Sequence, residues 1–225
     1  LYLIAPSEHA LMGLLNGAIL EEKDLPLCWA ACTPCFRREA GKHGLDERGF
    51  FRVHQFNKVE QVVVCRPQDS WKWHERLLKN TESLFSSLKI PYRVVNVCTG
   101  DIGIVAAKKY DIEGWSPREQ KYFELGSISN CTSYQTVRSS IKFRLPDGEK
   151  EYPHSLNGTA IATTRMLRAL LENHQTRDGH VKIPRALHKY VNGVRELALP
   201  KTGNENKKQV PRARLPRSRA RRKRI

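Results

Sequence analysis

Both common glycine-rich phosphate cradles are missing from this 225-residue chain, which has neither a GxxxxGK(S/T) loop nor a GxGxxG turn. That excludes the nucleotide-binding folds those motifs build. No apolar run approaches the roughly 20 residues needed to cross a bilayer, so no membrane partner is expected. Cysteine is scarce: six residues, at 28, 32, 35, 65, 98 and 131. This is too few for a disulfide scaffold and suits a reducing compartment. Cys32 and Cys35 have CxxC spacing, yet no second pair of Cys or His lies nearby to complete a zinc site. Their neighbours read as strand, not as the helix start of a thioredoxin-like site, so both are expected to be core thiols. The N-terminus has no basic region and no cleavage signal and is not read as a targeting segment. It starts at Leu1 inside what reads as a strand over 1–4, as the C-terminal part of a longer protein would.

Acids are also in short supply. Lys and Arg number 39 against 23 Asp and Glu, a formal charge of +16. Ten of the cations lie between Lys207 and Ile225 with no acid among them, which leaves +6 on the first 206 residues. Such a Pro/Arg segment cannot bury apolar surface. Residues 194–225 are therefore expected to be a disordered basic tail, able to touch nucleic-acid phosphates or to remain simply solvated. The body, with 40% hydrophobic residues across the chain, is long enough for one sizeable domain with a real core.

Residues 27–39 read as a strand. A polar, glycine-rich loop follows over 40–49, then a long second strand over 50–65, and the two should pair antiparallel. Asp69-Ser70 is a plausible N-cap for a helix with Trp73, Leu77, Thr81, Leu84 and Leu88 at helical spacing, ended by Pro91. Strands are expected at 92–98, 110–115, 122–127, 139–144 and, after the Pro146-Asp147-Gly148 turn, 151–155. Asn157-Gly158 is expected to open a helix running from Thr159 to about Asn173, with Ile161, Leu167, Leu170 and Leu171 inward. Many neighbouring strands and a few helices indicate an α+β fold with a mainly antiparallel sheet flanked by helices.

Chemistry concentrates on the hairpin. Side chains alternate along a strand, so Arg52, His54, Phe56, Lys58 and Glu60 should share one face, with Phe51, Val53 and Val59 on the other. Arg37 and Glu39 share a face of the partner strand. Spacing alone also fits an ordinary solvent face with cross-strand ion pairs. An Arg fork, however, suits phosphate, and Phe56 offers a stacking surface for a base. Glu124 and Ser127 are oxygen donors able to share a hard cation such as Mg²⁺. Asn157, Thr159 and Arg165 stand at the expected helix start, where anions are favoured.

Taken in order, these pieces carry a resemblance. PCFRREAG (34–41), a glycine-rich loop and GFFRVHQFNKVEQ (49–61) resemble motif 2 of the class II aminoacyl-tRNA synthetases, in the seryl version. NGTAIATTRMLRALLENHQ (157–175) resembles motif 3. LYLIAPSEHALMGLL (1–15) resembles the stretch that carries a serine-binding Thr-x-Glu, and 98–115 and 124–135 resemble the linking strands. The resemblance implies a catalytic core over 1–193. Motif 1 and the N-terminal tRNA-binding arm are not found in the chain.

It also implies activation of L-serine by ATP with Mg²⁺ and transfer to tRNA(Ser). The family is dimeric, so a homodimer is implied, although without motif 1. The compartment would be the cytoplasm or the mitochondrial matrix. By the same resemblance Arg37 grips the α-phosphate and the substrate carboxylate, and Arg37, Glu124 and Arg165 form the catalytic set. Glu39, Arg52, Val53, Phe56, Glu124, Ser127 and Arg165 join Arg37 around ATP. Glu124 and Ser127 hold Mg²⁺, and Pro6, Glu8, Arg37, Glu60, Asn157 and Thr159 surround serine. The chain departs from the pattern at Pro6, which replaces a Thr and has neither hydroxyl nor N–H. Further departures are Ser133 in place of Asp, Val137 in place of Arg, and Ile128 in place of Cys. A catalytically impaired paralogue that binds RNA or protein is the alternative these departures support.

Overall fold

The computed structural model describes residues 2–39 and 50–198; the expected glycine-rich loop at 40–49 and the basic tail beyond 198 lie outside them. Six strands form one antiparallel sheet: β2 (Leu27–Phe36), β3 (Gln55–Cys65), β9 (His154–Ala162), β6 (Lys121–Asn130), β5 (Lys108–Ser116) and β4 (Tyr92–Asn96), in that spatial order. The α+β, mainly antiparallel arrangement is therefore as expected. Two helices, α2 (Ser70–Ser87) and α4 (Thr163–His174), cover one face. They bury Val63, Leu77, Phe85, Ile112, Leu125, Ile128, Leu156 and Met166 in the main core. On the other face α1 (Ser7–Leu14) packs Met12 against Val62 and Val64 of β3. The stretch of that face beside α1 is left to the site.

A small sheet of β1 (Ile19–Glu21), β7 (Lys142–Arg144) and β8 (Lys150–Glu151) flanks the body, and α3 (Tyr134–Arg138) follows β6. Among the described residues no helix is long and apolar enough to cross a membrane.

Several boundaries differ from expectation, each for a physical reason. Residues 157–162 are not the start of a helix. They belong to β9, which pairs with β3 on one side and β6 on the other, and α4 begins only at Thr163. A strand that completes the ladders of two neighbours satisfies its backbone groups more fully than a helix end could, and this overrides the local Asn-Gly signal. The inward face of α4 shifts accordingly, so that Met166, Arg168 and Ala169 are buried and Leu167 is exposed.

The stripe of α2 is also rotated: His74, Leu78 and Phe85 are buried, while Leu84 is exposed. His74 goes inward because its Nε2 lies 3.1 Å from the Ile128 carbonyl and its ring stacks on Tyr110. Residues 50–54 lie outside β3, no regular strand forms at 2–5, and the helix at Ser7–Leu14 was not expected. Glu196–Leu197 form β11, paired with β10 (Val181–Lys182), within the segment expected to be tail. Cys35 is buried but Cys32 is exposed, as alternation along β2 requires, so only one of the two is a core thiol.

Candidate active site

Two irregularities in the sheet build the site. In the β5–β6 ladder Ile112 faces Gly126 while Glu113 faces Glu124, so Leu125 is an extra residue. A regular strand would send residues 124 and 127 to opposite faces; the bulge brings both to one side. The β3–β9 ladder does the same. Val59 faces Ile161 while Glu60 faces Thr159, so Ala160 is extra and Thr159 shares a face with Ala162. Asn157, opposite Val62, lies on that face as well.

The result is one cleft. It is lined by Arg37, Glu39, Phe51, Arg52, Val53, Phe56, Lys58, Glu124, Ser127, Thr159, Thr164 and Arg165, among others. All the expected nucleotide-side residues, Arg37, Glu39, Arg52, Val53, Phe56, Glu124, Ser127 and Arg165, therefore meet around a single volume. Arg37 follows the end of β2, its N–H donating to the His54 carbonyl at 2.9 Å, and its guanidinium lies 5.4 Å over the Phe56 ring. Glu39 adopts a left-handed backbone, φ 49°, and pairs with Arg52. Arg165, in the first turn of α4, lies 5.6 Å over Phe51 and reaches the Glu124 carboxylate at 3.1 Å.

The expected amino-acid residues line up beside this cleft along β9. Glu8, in the first turn of α1, accepts hydrogen bonds from Gln135 and from Asn157 Nδ2, the latter at 2.9 Å. Thr159 Oγ1 donates to Glu60 Oε2 at 3.4 Å, and Lys58 Nζ sits 2.6 Å from the same oxygen. Burial pushes the Glu60 carboxyl above its usual range; Lys58 opposes this and the Glu8 charge adds to it. Pro6 is the N-cap of α1 and supplies no side-chain cap bond; Ser7 behind it is buried with its hydroxyl unpartnered.

Three residues gain a part that the sequence did not assign. Lys58 neutralises Glu60, and the alternation that placed both on one face was the available signal. Gln135 orients Glu8 across a separation no spacing rule covers. Phe51, expected on the core side, both packs against the core and lines the cleft, with Arg165 over its ring and the buried Arg168 at 4.6 Å.

The donor set also bears on a cation. Among the described residues no group of three or more His, Cys, Asp or Glu could hold a metal ion. Glu124 and Ser127 offer hard oxygens on one face, the type a magnesium ion takes while keeping waters and substrate phosphates as its other ligands. The residues fit such a shared ion; they do not fit an all-protein cage.

An antiparallel six-stranded sheet with this cleft is the core of a class II tRNA synthetase. Residues 1–174 match the tRNA synthetase class II core domain (G, H, P, S and T), and the chain belongs to that family. Within it the resemblance is to the seryl members. The serine-tRNA ligases of Methanocella arvoryzae and Pyrococcus furiosus are each 59% identical to the chain, over 199 and 198 residues. The alignments cover 88% of this chain but only 47% and 43% of those proteins, so the chain spans slightly under half their length. The crystal structure of seryl-tRNA synthetase from Pyrococcus horikoshii complexed with ATP matches with a TM-score of 0.84 at 55% identity, over 87% of this chain and 44% of that one. Cytoplasmic serine-tRNA ligase from Naegleria fowleri in complex with AMP matches with a TM-score of 0.82 at 43% identity, over 87% of this chain and 46% of that one.

Proposed function

We propose that this chain is the catalytic core of a serine-tRNA ligase, which activates L-serine with ATP and passes the seryl group to tRNA(Ser). The observation that carries the reading is the shared face of β3, β6 and β9. There the two bulges set a cationic, aromatic cleft directly beside Thr159, Glu60 and Glu8. In the first step a serine carboxylate oxygen bonds to the α-phosphorus, and the bond to the β-phosphate oxygen breaks, releasing pyrophosphate. The chain supplies position and charge for this step. Phe56 stacks on the adenine, and Glu39 accepts from its amino group. Arg52 and Arg165 take the polyphosphate, with Val53 against the nucleotide.

Arg37 holds the α-phosphate oxygens and the serine carboxylate, where charge builds. Glu8, kept in place by Gln135 and Asn157, takes the serine ammonium. Glu60 and Thr159 bind the serine hydroxyl, with Glu60 balanced by Lys58. Bound at Glu124 and Ser127, Mg²⁺ would neutralise phosphate charge. In the second step the terminal ribose hydroxyl of tRNA(Ser) attacks the seryl carbonyl and AMP leaves. In this reading residues 1–193, together with the β10–β11 ladder that carries the fold on to Leu197, form the core, and the basic residues that follow are available to RNA phosphates; the working unit is a homodimer in the cytoplasm.

Serine-dependent ATP–pyrophosphate exchange tests the reading. Exchange by this chain above a serine-free control supports it. A folded chain that binds no ATP by calorimetry and gives no exchange sinks it, and the RNA- or protein-binding alternative then stands.

A further inference from the structure

We infer that Thr81 and Gln61, on the far side of the sheet from the cleft, are positioning residues that lock the β9 bulge and so aim Thr159 at Glu60. The inference rests on the proposed role of Thr159 in holding the substrate hydroxyl. Where Ala160 is inserted, the β3 ladder slips, and the β6 ladder has already stopped at Gly158. The Thr159 carbonyl therefore sits at a break in the sheet. It is taken by a side chain from the helix layer: Thr81 Oγ1 lies 3.1 Å from it.

The hydroxyl of a threonine inside a helix ordinarily donates to the carbonyl four residues back. Thr81 is within reach of that atom too, 3.3 Å from Leu77 O, but it has one hydrogen to give. Gln61 decides where that hydrogen goes. Its Nε2 lies 3.3 Å from Leu77 O and 3.2 Å from Thr81 Oγ1, so its two hydrogens supply the Leu77 carbonyl and one lone pair of the hydroxyl. The hydroxyl hydrogen is thereby left for Thr159. Asn80 Nδ2, 2.8 Å from Gln61 Oε1, fixes which way round the amide stands. Thr81 and Gln61 are both buried, so water does not substitute for a missing member.

On the neighbouring strand β6, Gly126 completes the seat. A Cβ there would stand 2.9 Å from Thr159 Cβ, closer than side chains pack. Thr159 is thus held at its carbonyl by a hydrogen bond from Thr81 and given room at its side chain by the missing side chain of Gly126.

The test is Thr81→Val, which keeps the shape and removes the O–H, with Thr81→Ser as the conservative control. Expected for Thr81→Val is a rise in the serine KM of about tenfold with the ATP KM unchanged, restored by Thr81→Ser. Equal rises in both KM values, or none, overturn the inference. Should Thr81→Val fail to fold, Asn80→Asp on the exposed side of α2 carries the test. A carboxylate there turns the Gln61 amide over, presents its oxygen to Thr81 and draws the hydroxyl away from Thr159. The same serine-specific rise is expected, and no change overturns the inference.

Failure of the proposed function is read separately, as absent exchange in the unmutated chain. In that event amide hydrogen exchange of the same variants decides, because it needs no turnover. Faster exchange at 159–162 with β2 unchanged supports the lock; identical exchange overturns it.

Discussion

Arg165 and Glu124 hold one another across the cleft through two contacts. The guanidinium Nη1 lies 3.1 Å from the Glu124 carboxylate and donates to the Glu124 backbone carbonyl at 3.0 Å. One residue lies in the first turn of α4 and the other stands at the β6 bulge, so the pair joins the helix layer to the strand that carries Glu124 and Ser127. Under the proposed function, a polyphosphate arriving with a divalent cation would give each member a new partner, Arg165 an anion and Glu124 a cation.

Arg165→Ala should therefore raise the Kd for ATP by about 10–100-fold, the worth of one or two hydrogen bonds to a charged group. Glu124→Gln should leave ATP binding in EDTA intact and remove its stimulation by Mg²⁺. Titration calorimetry with and without the cation checks both. Equal Mg²⁺ stimulation in the Gln variant would remove Glu124 from the cation site.

Pro6→Thr should strengthen two things at once. Position 6 is the N-cap of α1 with extended backbone, φ −89° and ψ 157°, which threonine adopts without strain, and no side chain caps the helix there. A hydroxyl facing the first turn gives about 1 kcal/mol of helix stability or a hydrogen bond to an ammonium held by Glu8. Raised Tm together with a lower serine KM is expected. A raised Tm with unchanged KM would mean that the hydroxyl only caps the helix.

The hairpin part of the site was legible in the sequence because it depends on period-two alternation and on residues near each other in the chain. Phe56, Lys58 and Glu60 share a face by that rule alone, and they do so in the structure. What the rule could not supply was the phase of Glu124 with Ser127, or of Thr159 with Ala162, since an inserted bulge residue leaves no local mark in composition. The helix expected at Thr159 failed for a related reason. Its Asn-Gly start is a good local signal, but by staying extended Asn157 and Gly158 pair with both β3 and β6 and 159–162 keep the β3 ladder, and the pairing partners lie more than 25 residues away. Polar residues turned inward misled the reading of α2 and α4. His74 and Arg168 are buried because Ile128 O receives one and Glu119 and Glu172 receive the other.

Gly126→Ala tests the room beside Thr159. The added methyl group would meet Thr159 Cβ at 2.9 Å and Cγ2 at 3.0 Å, and Thr159 is held at its carbonyl by Thr81. Overpacking of this kind costs about 1–3 kcal/mol. The strain falls on Thr159 and not on Arg37 or Phe56, so serine binding should weaken more than ATP binding. Parallel losses of both, at unchanged Tm, would show that the strand moves as a whole.

Acid should weaken the fold below pH of about 6.5, and His74 should account for much of it. Burial holds the His74 imidazole below its ordinary value of 6.5, and burial does the same to His154. Above 6.5 the folded and unfolded chains both carry these rings neutral and folding has no proton cost. Below it the unfolded chain takes up protons that the folded chain refuses, so stability falls as pH drops from 6.5 toward the folded values. A second loss follows at lower pH. There Glu119, although burial works against it, is held at about 2 by hydrogen bonds from Lys121, Arg118 and Arg168, so its contribution fades from about 4.5 downward. Thermal melts between pH 5 and 8 should show Tm declining on the acid side. His74→Gln, which keeps a donor for the Ile128 carbonyl and does not titrate, should flatten that decline and leave the part due to His154. An unchanged slope would mean that His74 accepts a proton in the folded state, which its unpaired Nδ1, enclosed between α2 and Tyr110, gives it no partner to do.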